Sequence, residues 1–104
     1  MKIATIEALH CDAGWRVWTF IKIVSDDGRI GWSECTDSHG SPRAIEGVIK
    51  DLQHLVIGKD PRHVEKIFWD LYSATRQSTG SVIQKAIAGI ENALLDIKAK
   101  ALNI

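Results

Sequence analysis

Apolar and polar residues change period once along this chain. Up to about Cys35 they alternate with a period of two; beyond it they recur every three or four residues. The first alternating run, Lys2 to about His10, sets Ile3, Thr5, Glu7 and Leu9 on one face and Ala4, Ile6, Ala8 and His10 on the other. The second, from about Arg16 to Val24, separates Val17, Thr19, Ile21 and Ile23 from Trp18, Phe20, Lys22 and Val24. Ser25-Asp26-Asp27-Gly28 reads as a hairpin turn, since glycine tolerates the positive φ such turns demand. A third strand follows from about Arg29 to Cys35. Three strands with short links predict an antiparallel meander.

Ser41-Pro42 opens the helical part, Ser41 as N-cap and Pro42 at the first helical position. Ile45, Val48, Ile49, Leu52, Leu55 and Val56 form one apolar stripe, and Gly58 stands where a helix C-terminal glycine is expected. Asp60-Pro61 repeats the cap-plus-proline start, ahead of Val64, Ile67, Phe68, Leu71 and Tyr72. After a connector, Arg76 to Gly80, the last helix spans roughly Thr79 to Leu102. Strands followed by helices give an α+β fold: a three-stranded antiparallel meander followed by a bundle of three helices.

That last helix carries Ile90, Leu94 and Ile97 beside small residues, Ala86, Ala88, Gly89, Ala93 and Ala99. A glycine inside a helix costs about 1 kcal/mol against alanine. Close approach of another backbone is the expected return, and the position near the chain end points to a partner beyond Ile104.

Composition narrows the function. The 104 residues allow one domain with one modest core. Thirteen Lys and Arg balance thirteen Asp and Glu, which removes the electrostatic case for nucleic acid or an anionic membrane surface. No apolar run approaches the ~20 residues of a membrane span, and no signal peptide is visible, so a cytoplasmic protein is expected. Cys11 and Cys35 lie on the outer strands of the meander, about 10 Å apart by strand spacing, too far for a disulfide.

In a meander, the loop after the first strand and the exit of the third share one end of the sheet. Asp12, Trp15, Arg16, Glu34, Asp37, Ser38 and His39, with Arg43 nearby, are therefore expected along one edge. Such donors and acceptors beside an indole suit a polar, hydroxylated ligand. Loops are also polar because they are solvated, and the residues alone leave both readings open. His10, Asp12 and His39 do not have a diagnostic metal-ligand spacing. His54 and His63 fall on polar faces. Asp96 and Lys100 read most simply as a surface ion pair worth a few tenths of a kcal/mol, ~0.2–0.5; the alternative is that Asp96 and Lys98 or Lys100 are interface contacts. Apart from Trp15, the tryptophans are expected in the core. No phosphate loop, Ser-His-Asp order or Cys-x-x-Cys is present.

Ala86-Ile-Ala-Gly-Ile-Glu-Asn-Ala-Leu-Leu-Asp-Ile-Lys-Ala-Lys100 resembles the signature helix of the mandelate racemase/muconate lactonizing enzyme group of the enolase superfamily. Asp27-Gly28-Arg-Ile-Gly31-Trp32-Ser33-Glu34 resembles that group's hairpin motif, and Ile57-Gly58-Lys59-Asp60-Pro61 its interhelical link. The resemblance covers essentially the whole chain. It implies an N-terminal capping domain over residues 1–104, followed in the full protein by a TIM-like barrel absent from this sequence. The barrel would hold the acid/base residues and Mg²⁺, and catalysis would begin with abstraction of the proton alpha to a carboxylate. The last helix would pack on the chain's own barrel, and a homo-oligomer is expected.

By the same resemblance, the segments around Cys11–Arg16 and Glu34–Pro42 match the cap's two specificity loops. Their polar, charged residues favour a sugar acid, hence an aldonate or aldarate dehydratase, with no catalytic or metal-binding residue in this chain. A racemase, epimerase or cycloisomerase of the same superfamily is the alternative, as is a stand-alone binding domain of this fold.

Overall fold

The computed structural model describes residues 1–37, 40–78 and 80–104. Strands β1 (Ile3–Asp12), β2 (Val17–Ser25) and β3 (Ile30–Glu34) form one antiparallel sheet in the order β1-β2-β3. Helices α1 (Pro42–Leu52), α2 (Val64–Ala74) and α3 (Ser81–Ala101) follow, with a 3₁₀ turn over Gln53–Leu55. This is the expected α+β arrangement. The β2–β3 hairpin closes as its sequence predicts: Gly28 takes φ +87°, and Ser25 N–H donates to the Arg29 carbonyl at 2.9 Å.

One face of the sheet is core. Thr19, Ile21, Ile23 and Ser25 of β2 are buried on it. On β1 the alternation breaks, since Ile3 and Ile6 are both buried. Ile3 stands opposite Ser25 but Thr5 opposite Val24, so one extra residue bulges the strand at Ala4 and turns Ile3 to the Ile6 side.

Ser41 caps α1 as expected, its Oγ accepting from Ala44 N–H at 3.3 Å. The helix stops at Leu52, six residues before Gly58. Gly58 (φ +86°) donates its N–H to Ile3 O at 2.8 Å, while Ile3 N–H donates to Lys59 O at 2.8 Å. This segment pairs with the outer edge of β1, and the pairing draws the chain out of the helix. The start of α2 also differs from expectation. His63 N–H donates to Asp60 O, and the Asp60 carboxylate receives the Arg62 backbone and guanidinium. Asp60-Pro61 is thus a turn, and the helix starts at Val64. Those Arg62 bonds hold the Asp60 carboxyl well below the usual carboxylate range.

The small residues of α3 serve the sheet. A Cβ on Gly89 would fall 2.8 Å from Cys35 Cβ and Sγ, and one on Gly31 would fall 2.4 Å from Ala93 O. Ala86, Gly89 and Ala93 are buried, so the close approach expected beyond Ile104 is made inside the domain, to β3. Only Ala88 (exposed) and Ala99 (half-buried) remain outside.

α3 also closes the free edge of the sheet. Asp96 Oδ2 accepts from Trp32 N–H at 2.8 Å, and Lys100 Nζ donates to Ile30 O at 2.8 Å. The Asp96–Lys100 pair, 3.0 Å apart, is thus an edge clamp on β3 and not only a surface contact. It occupies backbone groups that could otherwise pair with a foreign strand. Trp18, Trp32 and Trp69 are 37%, 42% and 54% exposed, against the expectation that they fill the core. Trp18 and Trp32 occupy the strand positions that face away from the helices.

Candidate functional site

The loop between β1 and β2 is tight. Ala13 N–H donates to Arg16 O at 2.9 Å, and Asp12 Oδ1 accepts from Gly14 N–H at 2.8 Å. Gly14 takes φ +94°, which lets the turn close. Asp12 therefore shapes the loop with one carboxylate oxygen. Trp15 stands at the tip, 72% exposed. The Arg16 guanidinium lies 4.3 Å from the Trp15 ring centre and 5.8 Å from that of Trp18. Stacking on indoles helps to orient the planar guanidinium of this half-buried residue, contributing about 0.5–2 kcal/mol.

The exit of β3 is held by β2. Cys35 N–H donates to Thr19 O at 2.7 Å, and Thr19 N–H donates to Thr36 Oγ1 at 3.2 Å. Glu34 is the last, exposed residue of β3. Asp37 is committed within the fold: Lys85 Nζ lies 2.5 Å from its Oδ1, and its carboxylate fills the space a Cβ on Gly40 would need. Topology thus brings Asp12, Trp15, Arg16, Glu34 and Asp37 to one end of the sheet. Ser38 and His39 lie outside the described residues.

Behind these loops is a network that sequence reading did not find. His10 Nδ1 is 3.0 Å from Thr19 Oγ1, His10 Nε2 is 3.3 Å from Glu46, and Glu46 is 3.4 Å from Lys50. The His10 hydrogen bond, helped by Lys50, keeps the Glu46 carboxyl below its ordinary value. A histidine on an edge strand, with a helical Glu more than thirty residues away, leaves no local signal. Cys35 was legible only as a free thiol. It is buried, donates to Lys85 O at 2.9 Å, and has its acidity suppressed by burial. Among the described residues no group of three His, Cys, Asp or Glu is placed to hold a metal ion.

The sequence pattern of the family described as Mandelate racemase / muconate lactonizing enzyme, N-terminal domain, matches residues 12–104. The chain belongs to that family. This N-terminal domain is 36% identical over its full 104 residues to D-galactonate dehydratase of Xanthomonas axonopodis pv. citri, covering 26% of that protein. It matches the solved 3,6-anhydro-D-galactonate cycloisomerase of Zobellia galactanivorans with a TM-score of 0.88 at 30% identity. That match covers 98% of this chain and 29% of the other. The structure of a candidate L-alanine-DL-glutamate epimerase from Burkholderia xenovorans strain LB400, bound to magnesium and fumarate, matches at TM-score 0.91 and 42% identity over 97% of this chain and 25% of that one. The chain thus spans about a quarter of the length of the relatives it matches.

Proposed function

We propose that this N-terminal domain is the specificity cap of a longer Mg²⁺-dependent enzyme that abstracts the proton alpha to a carboxylate, and that its reaction is dehydration of an aldonate or aldarate. The similarity to a D-galactonate dehydratase across the whole chain carries this reading. The polar end of the sheet supports it: Asp12, Trp15, Arg16, Glu34 and Asp37 are the substrate-facing set, to which Ser38 and His39, next in sequence, are assigned by the resemblance alone. Arg16, oriented by the indoles, meets a substrate carboxylate with its fork. Asp12 and Glu34 accept from hydroxyls, and Trp15 covers an apolar sugar face. Asp37, tied to Lys85, holds its loop in place and presents its remaining edge.

On this reading Mg²⁺ and the acid/base groups belong to a following barrel domain, against which the last helix packs. The cap's own work is recognition and exclusion of water. The whole protein is a homo-oligomer in the cytoplasm on this reading. In the described residues no helix is long and apolar enough to cross a membrane. A racemase, epimerase or cycloisomerase reaction is the second reading, favoured by the Zobellia cycloisomerase and by the Burkholderia candidate epimerase.

The test is turnover by the full-length protein with Mg²⁺ across a library of sugar acids, dipeptides and muconates. Dehydration of a sugar acid to a 2-keto acid is expected. Turnover confined to dipeptides or muconate overturns the proposal.

A further inference from the structure

The two candidate loops leave the sheet from different strands, yet His10, Thr19 and Glu46 join their roots. His10 stands on β1 just before the first loop and opposite Thr19 of β2. Thr19 is 1% exposed and holds the start of the second loop twice. Its carbonyl accepts from Cys35 N–H, and its N–H donates to Thr36 Oγ1. Its hydroxyl is left for His10, whose Nδ1 is 3.0 Å away. The other ring nitrogen, Nε2, lies 3.3 Å from Glu46 Oε2, and Glu46 belongs to α1, the helix that receives the end of the second loop. One imidazole thus ties the root of the first loop to both roots of the second, directly or through Thr19.

The donors and acceptors match in one tautomer. A carboxylate only accepts, so His10 Nε2 carries its hydrogen toward Glu46, and the bare Nδ1 accepts from the Thr19 hydroxyl. Lys50 Nζ, 3.4 Å from Glu46 Oε1, takes the other carboxylate oxygen. Apolar packing does not make the same link. Ile6 is buried and Ala8 packs on the core, but between their strand and α1 a groove of ≈ 310 Å³ remains, lined among others by Ile6, Ala8, Ile49 and Gln53. The His10–Glu46 bridge lies beside the Ala8–Glu46 end of this groove. The two side chains are 28% and 32% exposed. So open a pair adds little to global stability, and its effect falls on the segments it joins.

We propose that His10 is a positioning residue that couples the two candidate loops, holding the first to both ends of the second through Thr19 and Glu46, so that they meet a ligand as one preorganised surface. His10 acts through these partners and not on the ligand. The inference rests on the reading that the loops face the substrate of a longer enzyme. It adds what makes the two loops act together. Loops ordered before binding cost less to order on binding, so the coupling acts on KM and leaves the chemical step alone.

The experiment uses the full-length protein. Glu46→Ala removes the bridge at its α1 end, while His10→Asn keeps an acceptor for Thr19 but is too short to reach Glu46. In each variant, amide hydrogen exchange should quicken about threefold at Ala13 and Gly14 in the first loop and at Cys35 at the root of the second, with the amides of α2 unchanged. The double variant should exchange no faster than either single one. Glu46→Gln, which still accepts from Nε2–H, should restore the slow rate. KM for the sugar acid should rise about threefold in Glu46→Ala and His10→Asn, with kcat unchanged. Exchange that quickens at Cys35 but not at Ala13 and Gly14 overturns the coupling. So does an equal rise across α2, which marks a merely structural role, and so does no change at all. An active sugar-acid dehydratase whose loops exchange independently sinks this inference alone. A protein that turns over no sugar acid, but whose loop amides respond together, sinks only the assigned reaction.

Discussion

Gly31 and Gly89 mark where strand and helix approach too closely for a side chain, but the neighbours differ. A Cβ on Gly31 meets Ala93 O at 2.4 Å, Ile97 Cβ at 2.8 Å and Ile97 N at 3.1 Å, mostly helix backbone. A Cβ on Gly89 meets only side-chain atoms of Cys35 and Ile21. Gly31→Ala should therefore cost more, beyond the ~1–3 kcal/mol typical of overpacking. Gly89→Ala should cost less, because better helix propensity returns about 1 kcal/mol. Denaturant midpoints of the two variants check the order. Asp96 gives a pH prediction. Burial pushes its carboxyl up, but the Trp32 N–H bond and Lys100 outweigh this and hold it below its usual value. A lowered folded value adds stability above the unfolded pKa of about 3.9 and loses it as pH falls through the folded value. The stability gap between wild type and Asp96→Asn should close below about pH 4 in acid titrations followed by circular dichroism.

At the scale of elements, local chemistry decides some boundaries and tertiary pairing decides others. Ser41 bonds Ala44 N–H whatever surrounds it, so Ser41→Ala should lower stability by about 1 kcal/mol in urea unfolding. Asp60-Pro61 carries the same local signal, yet Arg62 captures the carboxylate and the helix begins at Val64. Pro61→Ala should accordingly leave the helical circular dichroism of α2 unchanged. The sheet shows the same division. Alternation located all three strands, but the bulge in β1 depends on how Ile3 meets the segment at Gly58 and Lys59. The clamp by Asp96 and Lys100 joins residues more than sixty positions apart, and an i,i+4 pair in sequence cannot reveal it.

For the whole molecule, the claim to test is recognition by the polar end of the sheet. In the full-length enzyme, Arg16→Ala should raise KM for the sugar acid by about tenfold or more, the loss of one charge-assisted hydrogen-bonded contact. kcat should change less, while the lost stacking on Trp15 and Trp18 lowers thermal stability. Steady-state kinetics with a melting curve separate these effects. The sequence by itself determined the strand and helix order, the hairpin at Gly28, the α1 cap and the family, because these rest on period, turn chemistry and short motifs. It also grouped Asp12, Trp15, Arg16, Glu34 and Asp37, because antiparallel connectivity alone puts their loops at one end. Tertiary structure decided that the small residues of α3 face β3 and that Asp37 is bound to Lys85. It also decided that Trp18 and Trp32 face outward and that His10 joins Thr19 to Glu46. Each of these depends on which distant surface packs against a residue, and that is set only when sheet and helices meet.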